Sequence, residues 1–282
     1  MTFKEQRLAF AEILKSHYPL EEINSFFYLL TEHYFGFNKF ETHQKGADVF
    51  PVEHEQHISE AIQRLLLHEP IQYIIGETAF YGLPFKVDRH TLIPRPETEE
   101  LVEWILVEAA NNEDDKEILD IGTGSGCIAV SLAKEFDKAQ VSAYDISEGA
   151  LKVAQENALT NKVEVRFKNV DILALDELEQ SFDVIVSNPP YVRDLEKKMM
   201  QANVLEHEPA TALFVSDTDP LIFYRKIAAL AFKSLKKNGL LYFEINEYLG
   251  EEMKVLMKEM GFNNCIIKKD IYGKDRMMRA ER

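Results

Sequence analysis

Cysteine and long apolar runs are both scarce in this sequence. Two cysteines, Cys127 and Cys265, occur among 282 residues, which is too few for a disulfide framework or a zinc site. No apolar run approaches the roughly 18 residues that a membrane-spanning helix requires. The N-terminal segment MTFKEQRLAFAEILK interrupts its apolar residues with charged ones, unlike a signal peptide. We therefore expect a cytoplasmic protein without a metal site, a disulfide framework or a membrane partner.

Positive charge is also in short supply. The chain has 32 Lys and Arg residues against 48 Asp and Glu residues, for a net charge of −16 at pH 7. A protein that binds many phosphates usually has the opposite balance. The sequence contains two small basic clusters, Lys197-Lys198 and Lys236-Lys237. This composition disfavours a nucleic-acid substrate, although whole-chain charge does not exclude a local basic patch.

Two domains are predicted from the change in pattern near residue 75. Before that point the apolar residues recur at helical spacing, as in Ile23, Phe26, Phe27, Leu30 and Tyr34. The segment from Ile71 to His90 then mixes aromatic and β-branched residues with Gly76, Gly82 and Pro84, which predicts a β-hairpin. We assign residues 1–75 to a helical bundle and residues 76–282 to a hairpin linker and a second domain.

Helix and strand patterns alternate from Glu99 onward. The predicted strands are EILDI, QVSAYD, KVEVRF, FDVIVS, LLYFEI and CIIKK, with DRMMRA as a final edge strand. A polar loop is predicted at 111–116, between the first helix and the first strand of this series. The alternation predicts an α/β fold in which helices cover both faces of a doubly wound parallel sheet.

A glycine-rich loop follows the first strand of the sheet, at Gly122, Thr123, Gly124, Ser125 and Gly126. Glycines in such a loop let the backbone turn sharply and approach a ligand beside the positive end of a helix. Asp145 lies 23 residues after Gly122, at the end of the second strand, where a carboxylate can accept hydrogen bonds from both ribose hydroxyls. A Gly-x-Gly alone is also typical of a tight structural turn, but its placement favours a nucleoside-containing cofactor.

The glycine spacing separates two classes of cofactor. A dinucleotide-binding loop requires a further glycine at position 127, which is Cys127 here. The Gly-x-Gly-x-Gly spacing instead resembles the first motif of class I methyltransferases, which bind S-adenosylmethionine. That resemblance implies that Asp171 and Ile172, which follow the third strand, lie where such folds hold adenine. Asp120 either faces the methionine end of the cofactor or caps the loop.

The tetrapeptide from Asn188 to Tyr191, Asn-Pro-Pro-Tyr, follows the strand FDVIVS. Doubly wound sheets bind ligands at the carboxyl ends of such strands, although the tetrapeptide can also be an ordinary turn. The Asn188 side-chain oxygen and the Pro189 carbonyl can each accept one hydrogen of an NH₂ group and so direct the nitrogen lone pair at a methyl donor. Pro190 and the flat face of Tyr191 complete the predicted binding site for a planar, amide-type substrate group. We assign no general base.

Nearly the whole chain resembles the protein-(glutamine-N5) methyltransferases of peptide release factors, the HemK/PrmC family. The shared features are the helical N-terminal domain, the hairpin, GTGSG, Asp145, NPPY and the segment GETAFYGLPFKVDRHTLIPRPETEELVE. The resemblance implies a class I, Rossmann-like methyltransferase in which the glycine loop, Asp145 and Asn188 contact S-adenosylmethionine. It also implies that NPPY binds the glutamine of a Gly-Gly-Gln loop in class I release factors, and that the bundle helps to bind the release factor. We expect a monomer.

The main alternative is a DNA or RNA methyltransferase acting on adenine N6 or guanine N2, since these amines are also conjugated NH₂ groups. Such an enzyme needs a basic groove or an added module to extract a base from its stack. A nonenzymatic cofactor-binding protein and an NAD-dependent oxidoreductase are further alternatives. His90, Arg95 and Glu97 are either substrate-loop residues or solvated ones, and EPATALF from Glu208 is a lid or a loop.

Overall fold

The computed structural model describes residues 1–109 and 115–282. The chain forms two compact units. The first comprises Met1–Gly76 with Gln201–His207, and the second comprises Glu77–Met200 with Glu208–Arg282. Most of the polar loop predicted at 111–116 lies outside the described residues. None of the described helices is both long enough and apolar enough to cross a membrane.

The first unit is helical, as the sequence predicts. Its helices are α1 (Phe3–Leu14), α2 (Leu20–Phe35), α3 (Lys39–Gln44), α4 (Glu55–Leu66) and α5 (Ile71–Ile75), with a 3₁₀ turn at Val52–His54. Thr2 begins α1 by a capping box with Glu5, and Gly36 ends α2 with a left-handed backbone conformation. The apolar faces of these helices meet in one core, which includes Phe10, Phe27, Leu30, Phe50 and Ile58.

The predicted hairpin is confirmed and consists of β1 (Glu77–Phe80) and β2 (Leu83–Lys86). Tyr81 and Gly82 between the strands both have positive φ angles, +48° and +72°, as a two-residue hairpin turn of type I′ requires. Asn157, a fully buried residue of the second unit, accepts a hydrogen bond from the Lys86 backbone N–H at 2.6 Å and donates one to the Lys86 carbonyl at 3.0 Å. The hairpin is part of the second unit, and these hydrogen bonds hold its backbone against the rest of that unit.

The rest of the chain begins with α6 (Pro96–Ala109) and continues with helices and strands in alternation. The elements that follow are β3 (Glu117–Ile121), α7 (Cys127–Glu135), β4 (Gln140–Asp145), α8 (Glu148–Asn161), β5 (Val165–Asn169), β6 (Phe182–Ser187), β7 (Val192–Arg193), α9 (Ala202–His207), α10 (Ala210–Leu213), β8 (Phe214–Val215), α11 (Ile222–Ser234), β9 (Leu235–Glu244), α12 (Gly250–Glu259), β10 (Asn263–Lys269) and β11 (Asp275–Glu281). A 3₁₀ helix spans Asp194–Met199. Of these elements, α9 belongs to the first unit.

Seven of these strands form one sheet in the order β10-β11-β9-β6-β3-β4-β5. The five strands β3, β4, β5, β6 and β9 are parallel to one another, and apolar clusters cover both faces. One cluster includes Tyr224, Phe243 and Met257, and the other includes Trp104 and Ile128. The predicted doubly wound α/β architecture is thus confirmed.

The position of the last strand was predicted wrongly, and so was the expectation that the sheet is entirely parallel. The segment DRMMRA lies in β11, which is not at the edge but between β10 and β9, antiparallel to both. The connection from Lys269 to Asp275 is too short for a parallel crossover, so the chain must reverse. Met277 and Met278 are both fully buried on opposite sides of β11, as expected of an interior strand.

Candidate active site

The carboxyl ends of β3, β4 and β6 meet at one edge of the sheet. Ile121, the last residue of β3, pairs in register with Tyr144 of β4 and with Ser187 of β6. A cavity of about 410 Å³ opens at this edge and is lined entirely by residues of the second unit. Both its place in a doubly wound sheet and its volume are typical of a small-molecule site.

The glycine loop forms one wall of this cavity. Gly122, Gly124 and Gly126 all have positive φ angles, of +76°, +56° and +81°, which L-residues with side chains rarely adopt. A Cβ at Gly126 would also lie 3.0 Å from the Ala154 Cβ. Thr123 and Ser125 line the cavity with Gly122 and Gly124, whereas Gly126 packs behind the loop and is not part of the lining. The loop ends at the N-terminus of α7, whose dipole and N–H groups favour a polar ligand.

Asp145 joins the end of β4 to the glycine loop. One of its carboxylate oxygens accepts a hydrogen bond from the Gly124 N–H at 2.8 Å, and the other accepts one from the Ser147 N–H, also at 2.8 Å. Burial raises the pKa of the carboxyl group, and these two N–H groups oppose the shift. Each oxygen keeps a lone pair, so the predicted role toward ribose hydroxyls is compatible with both contacts.

The predicted adenine side lies beyond the end of β5. Asp171 and Ile172 both line the cavity, together with Val170 and Phe223. Ile172 is buried and apolar, whereas Asp171 is exposed and accepts a hydrogen bond from the Leu173 N–H at 2.9 Å. This part of the cavity therefore offers apolar walls for a flat ring and one carboxylate at its rim.

Asp120 lies behind the glycine loop and does not line the cavity. Its Oδ2 accepts a hydrogen bond from the Thr123 hydroxyl at 2.6 Å, whereas its Oδ1 has no hydrogen-bond partner among the described residues. Burial raises the pKa of this carboxyl group to about 7, against the opposing hydrogen bond from Thr123. The contact with Thr123 is of the capping type, which was one of the two roles considered for Asp120.

The NPPY turn follows β6 and forms another wall of the cavity. Asn188, Pro189 and Pro190 line the cavity, next to Ser187. Ser187 donates a hydrogen bond to the Ile121 carbonyl at 2.6 Å and so holds the end of β6 against β3. Tyr191 is half-buried against the apolar core, with its hydroxyl donating to Glu244 Oε1 at 2.8 Å. The cavity lining thus includes the Asn-Pro-Pro part of the motif, whereas the Tyr191 hydroxyl is directed at Glu244.

Two polar residues next to the NPPY turn were not identified from the sequence, and one of them, Thr98, lines the cavity. Glu244 ends β9 and is 2% exposed, and Thr98 in the first turn of α6 is 2% exposed. The Thr98 hydroxyl donates to Glu244 Oε2 at 2.6 Å, and the Asn188 amide nitrogen lies 3.4 Å from the Thr98 oxygen. The available signal for Glu244 was a single acid at the carboxyl end of the otherwise apolar strand LLYFEI.

The full-length similarity of this chain to curated proteins indicates its family. It is 50% identical to the release factor glutamine methyltransferase of Flavobacterium psychrophilum, over 99% of both chains. The chain belongs to the release factor glutamine methyltransferase family. It is also 43% identical to the release factor glutamine methyltransferase of Bacteroides thetaiotaomicron, over 95% of this chain and 96% of that protein.

Models of two protein domains match separate parts of this chain. The PrmC N-terminal domain matches residues 7–76, and the methyltransferase small domain matches residues 103–214. The second match contains the glycine loop, Asp145 and the NPPY turn, which form three sides of the cavity. The predicted family is therefore confirmed.

Solved methyltransferase structures share the fold at much lower identity. A methyltransferase from Pyrococcus furiosus superposes with a TM-score of 0.51 at 20% identity and covers 79% of this chain and 98% of its own. The hMettl16 catalytic domain superposes with a TM-score of 0.57 at 14% identity and covers 71% of this chain and 76% of its own. These similarities support the Rossmann-like methyltransferase fold.

A buried acid anchors the loop that precedes α6 in this family member. Glu208, the first residue of EPATALF, accepts a hydrogen bond from the Ile93 N–H at 3.2 Å and forms an ion pair with Arg95. Arg95 and His90 line the cavity, whereas Glu97 is half-buried outside its lining. Both segments reach the cavity, because Thr211, Ala212 and Phe214 also line it. EPATALF is therefore a packed wall segment in this structure.

Metal-binding geometry is not found in the described part of the chain. Within 1–109 and 115–282, no group of three or more His, Cys, Asp or Glu side chains is arranged to hold a metal ion. Burial raises the pKa of the Cys127 thiol to about 12, which keeps it in its neutral form at physiological pH.

Proposed function

We propose that this protein transfers a methyl group from S-adenosylmethionine to the side-chain amide nitrogen of the glutamine in the Gly-Gly-Gln loop of class I peptide chain release factors, and so supports translation termination. The observation that carries the proposal is the Asn-Pro-Pro turn in the wall of the same cavity as the glycine loop. The 50% identity to a release factor glutamine methyltransferase supports the choice of substrate.

The cavity fits S-adenosylmethionine in three respects. The glycine loop exposes backbone beside the N-terminus of α7, Asp145 offers lone pairs for the ribose, and Ile172 provides an apolar wall for adenine. We assign Gly122, Thr123, Gly124, Ser125, Gly126, Asp145, Asp171, Ile172 and Asn188 to this cofactor. When bound, the cofactor supplies an electrophilic methyl group on its sulfonium sulfur.

The residues of the NPPY turn act on the low nucleophilicity of an amide nitrogen. Its lone pair is delocalised into the carbonyl group, so orientation alone is not sufficient for transfer. The Asn188 side-chain oxygen and the Pro189 carbonyl each accept one N–H hydrogen, which favours pyramidal nitrogen and stabilises its developing positive charge. Pro190 and the ring of Tyr191 restrict the plane of the substrate amide. The N–CH₃ bond forms as the S–CH₃ bond breaks, and the methylated nitrogen then loses one proton to water, so no residue of the chain is assigned as a general base.

The helical bundle of residues 1–75 is proposed to bind the body of the release factor, and residues 76–282 to carry the hairpin linker and the methyltransferase domain. Support for a separate recognition role comes from the match of residues 7–76 to a distinct family model. The cavity lining belongs to the second unit alone, which leaves the bundle surface available for the protein substrate. We propose that the enzyme acts in the cytoplasm as a monomer.

A methyl-transfer assay tests this function. The protein and labelled S-adenosylmethionine are incubated with an unmodified class I release factor and, in separate reactions, with bulk tRNA, rRNA and DNA. We expect label on the release factor, and its loss when the loop glutamine is replaced. Label on nucleic acid alone would support the N6-adenine or N2-guanine alternative and overturn the proposed substrate.

Substitution of Asn188 tests the assigned chemistry within the same assay. Asn188→Ala removes one of the two proposed acceptors, and we expect the loss of detectable transfer while cofactor binding is weakened but still measurable by calorimetry. Full transfer activity in this variant would contradict the role of Asn188.

A further inference from the structure

Glu244 is a buried carboxylate that none of the assigned roles uses. It follows Phe243, which pairs in register with Ser187, so the end of β9 lies beside the start of the NPPY turn. Both carboxylate oxygens bind hydroxyl groups, of Thr98 at 2.6 Å and of Tyr191 at 2.8 Å. Burial raises the pKa of Glu244, and the two hydroxyls and the positive charge of Arg276 oppose that shift, whereas Glu97 adds to it.

The hydrogen bond between Thr98 and Glu244 has a defined direction. The Thr98 hydroxyl donates its hydrogen to Glu244 Oε2, which is the only direction possible when the carboxyl group is in its ionised form. A hydroxyl has one hydrogen, which leaves the Thr98 oxygen as an acceptor for its second neighbour. That neighbour is the Asn188 amide nitrogen, at 3.4 Å.

This direction determines which way the Asn188 amide faces. With its nitrogen toward Thr98, Asn188 donates to a lone pair and directs its oxygen elsewhere. If the amide were reversed, its oxygen would face a hydroxyl oxygen whose only hydrogen is already donated to Glu244. Two acceptors would then be in contact at a partly buried position, which is unfavourable.

Glu244 also holds the other end of the motif. Its second oxygen accepts from the Tyr191 hydroxyl, and the Tyr191 carbonyl accepts from the Asn246 side chain at 3.0 Å. A single carboxylate therefore contacts Tyr191 directly and Asn188 through Thr98. Both ends of the NPPY turn depend on one residue of β9.

We propose that Glu244 and Thr98 are positioning residues, which orient the Asn188 amide so that its side-chain oxygen is available to the substrate NH₂ group. This proposal rests on the proposed function, because it assigns Asn188 the same role as an acceptor. A positioning role differs from a purely structural one. Hydrogen bonds that only hold β9 against α6 would affect the stability of the protein without changing kcat.

The structure contains such a structural link for comparison. Tyr242, two residues before Glu244 in β9, donates a hydrogen bond to Glu108 in the last turn of α6 at 2.7 Å. This bond also joins a buried hydroxyl to a glutamate across the same strand and helix. Neither Tyr242 nor Glu108 lines the cavity, so Tyr242→Phe is a matched control for the loss of a hydroxyl–carboxylate hydrogen bond.

The test compares Thr98→Val, Thr98→Ser and Tyr242→Phe with the unchanged full-length protein. The measurements are kcat and KM with the release factor, Kd for S-adenosylmethionine and the melting temperature. We expect Thr98→Val to lower kcat by roughly 10- to 100-fold, because the Asn188 amide loses its fixed orientation, with a smaller weakening of Kd because Thr98 and Asn188 both line the cavity. Thr98→Ser restores the hydroxyl and should recover most of kcat, and Tyr242→Phe should lower the melting temperature while kcat stays near that of the unchanged protein.

Three results would overturn the positioning role. They are an unchanged kcat in Thr98→Val, a loss confined to cofactor Kd, and a Thr98→Ser variant as slow as Thr98→Val. Failure of the proposed function is distinguishable, because the unchanged protein would then not label the release factor at all. If Thr98→Val does not fold, Glu244→Gln provides the same comparison. The glutamine amide has one acceptor oxygen for the two donating hydroxyls of Thr98 and Tyr191, so kcat should again fall. An unchanged kcat in Glu244→Gln would contradict the proposal.

Discussion

At the scale of single residues, the two buried or half-buried acids near the glycine loop have different partners. Asp145 accepts hydrogen bonds from two backbone N–H groups, through one oxygen each. Asp120 accepts from Thr123 through one oxygen, and its other oxygen is unpartnered among the described residues. Asp145 is therefore suited to bind a ligand beside the loop, whereas Asp120 affects the stability of the loop itself.

Asp145→Ala should chiefly weaken cofactor binding. The lost charge-assisted hydrogen bonds to ribose correspond to roughly 1.5–3 kcal/mol, or about 10- to 150-fold in Kd. Isothermal calorimetry with S-adenosylmethionine measures this change. Glu148→Ala removes a nearby exposed carboxylate that does not line the cavity and serves as the control. An affinity in Asp145→Ala equal to that of the control would remove Asp145 from the cofactor site.

Asp120→Asn should make the stability of the protein less dependent on pH. The folded-state pKa of Asp120, about 7, lies above the ordinary aspartate pKa of 3.8, so between these values the folded protein binds one more proton than the unfolded chain. Stability contributed by Asp120 therefore falls as pH rises through this window, by at most about 1.4 kcal/mol per pH unit. Asparagine keeps an acceptor for Thr123 and does not ionise.

Urea denaturation of both proteins at pH 5 and pH 8 measures this difference. The free energy of unfolding should fall more steeply between the two pH values in the unchanged protein than in Asp120→Asn. Equal pH dependence in the two proteins would show that Asp120 titrates similarly in the folded and unfolded chains.

At the scale of elements, α8 connects the hairpin to the glycine loop. Asn157, in the middle of this helix, exchanges two hydrogen bonds with the Lys86 backbone and donates a third, at 2.9 Å, to the Ser125 carbonyl. One turn later, Asn161 donates to the Pro84 carbonyl at 2.9 Å. These amides satisfy backbone groups of the hairpin and of the glycine loop.

Asn157→Ala should destabilise this arrangement substantially. The substitution removes the partners of the partly buried Lys86 backbone groups and of the buried Ser125 carbonyl, at a loss of roughly 2–4 kcal/mol in the free energy of unfolding. Chemical denaturation measures the loss, and weaker cofactor binding should accompany it because Ser125 belongs to the cavity wall. Gln155→Ala, on the exposed face of the same helix, is the control and should change stability by less than about 0.5 kcal/mol. Equal stability of the two variants would contradict the anchoring role.

At the scale of the whole molecule, the two compact units have separate cores. The core of the first unit consists of residues between Phe3 and Ile75, whereas the cores on the two faces of the sheet are formed by residues from Phe80 onward. The cavity lining lies in the second unit. Damage to the first core should therefore affect cofactor binding less than it affects recognition of a protein substrate.

Phe27→Ala tests this separation. Phe27 is fully buried in the first core, and its truncation is expected to lower the stability of that unit by about 3–5 kcal/mol. We expect Kd for S-adenosylmethionine to stay within about twofold, whereas kcat/KM with the release factor falls because the bundle no longer presents an ordered surface. A parallel loss of cofactor affinity would show that the cavity depends on the first core.

The sequence by itself determined the features that depend on local conformation. The positive φ angles at Gly122, Gly124 and Gly126 and the restricted backbone of the Asn-Pro-Pro turn are properties of the residues themselves. The hairpin at Tyr81 and Gly82 and the alternation of helices and strands are likewise local patterns. These features were sufficient to predict the fold class, whereas the family was predicted from the resemblance of the motifs along the chain.

Only the tertiary structure decided the contacts between segments that are far apart in the chain. Thr98 and Glu244 are separated by 146 residues, and Thr98 and Asn188 by 90, so their contact depends on the order of strands β9 and β6 and on the packing of α6. The place of β11 inside the sheet was decided in the same way. Strand order follows from the burial of both sheet faces by the whole chain, and no local pattern encodes which buried polar groups then become neighbours.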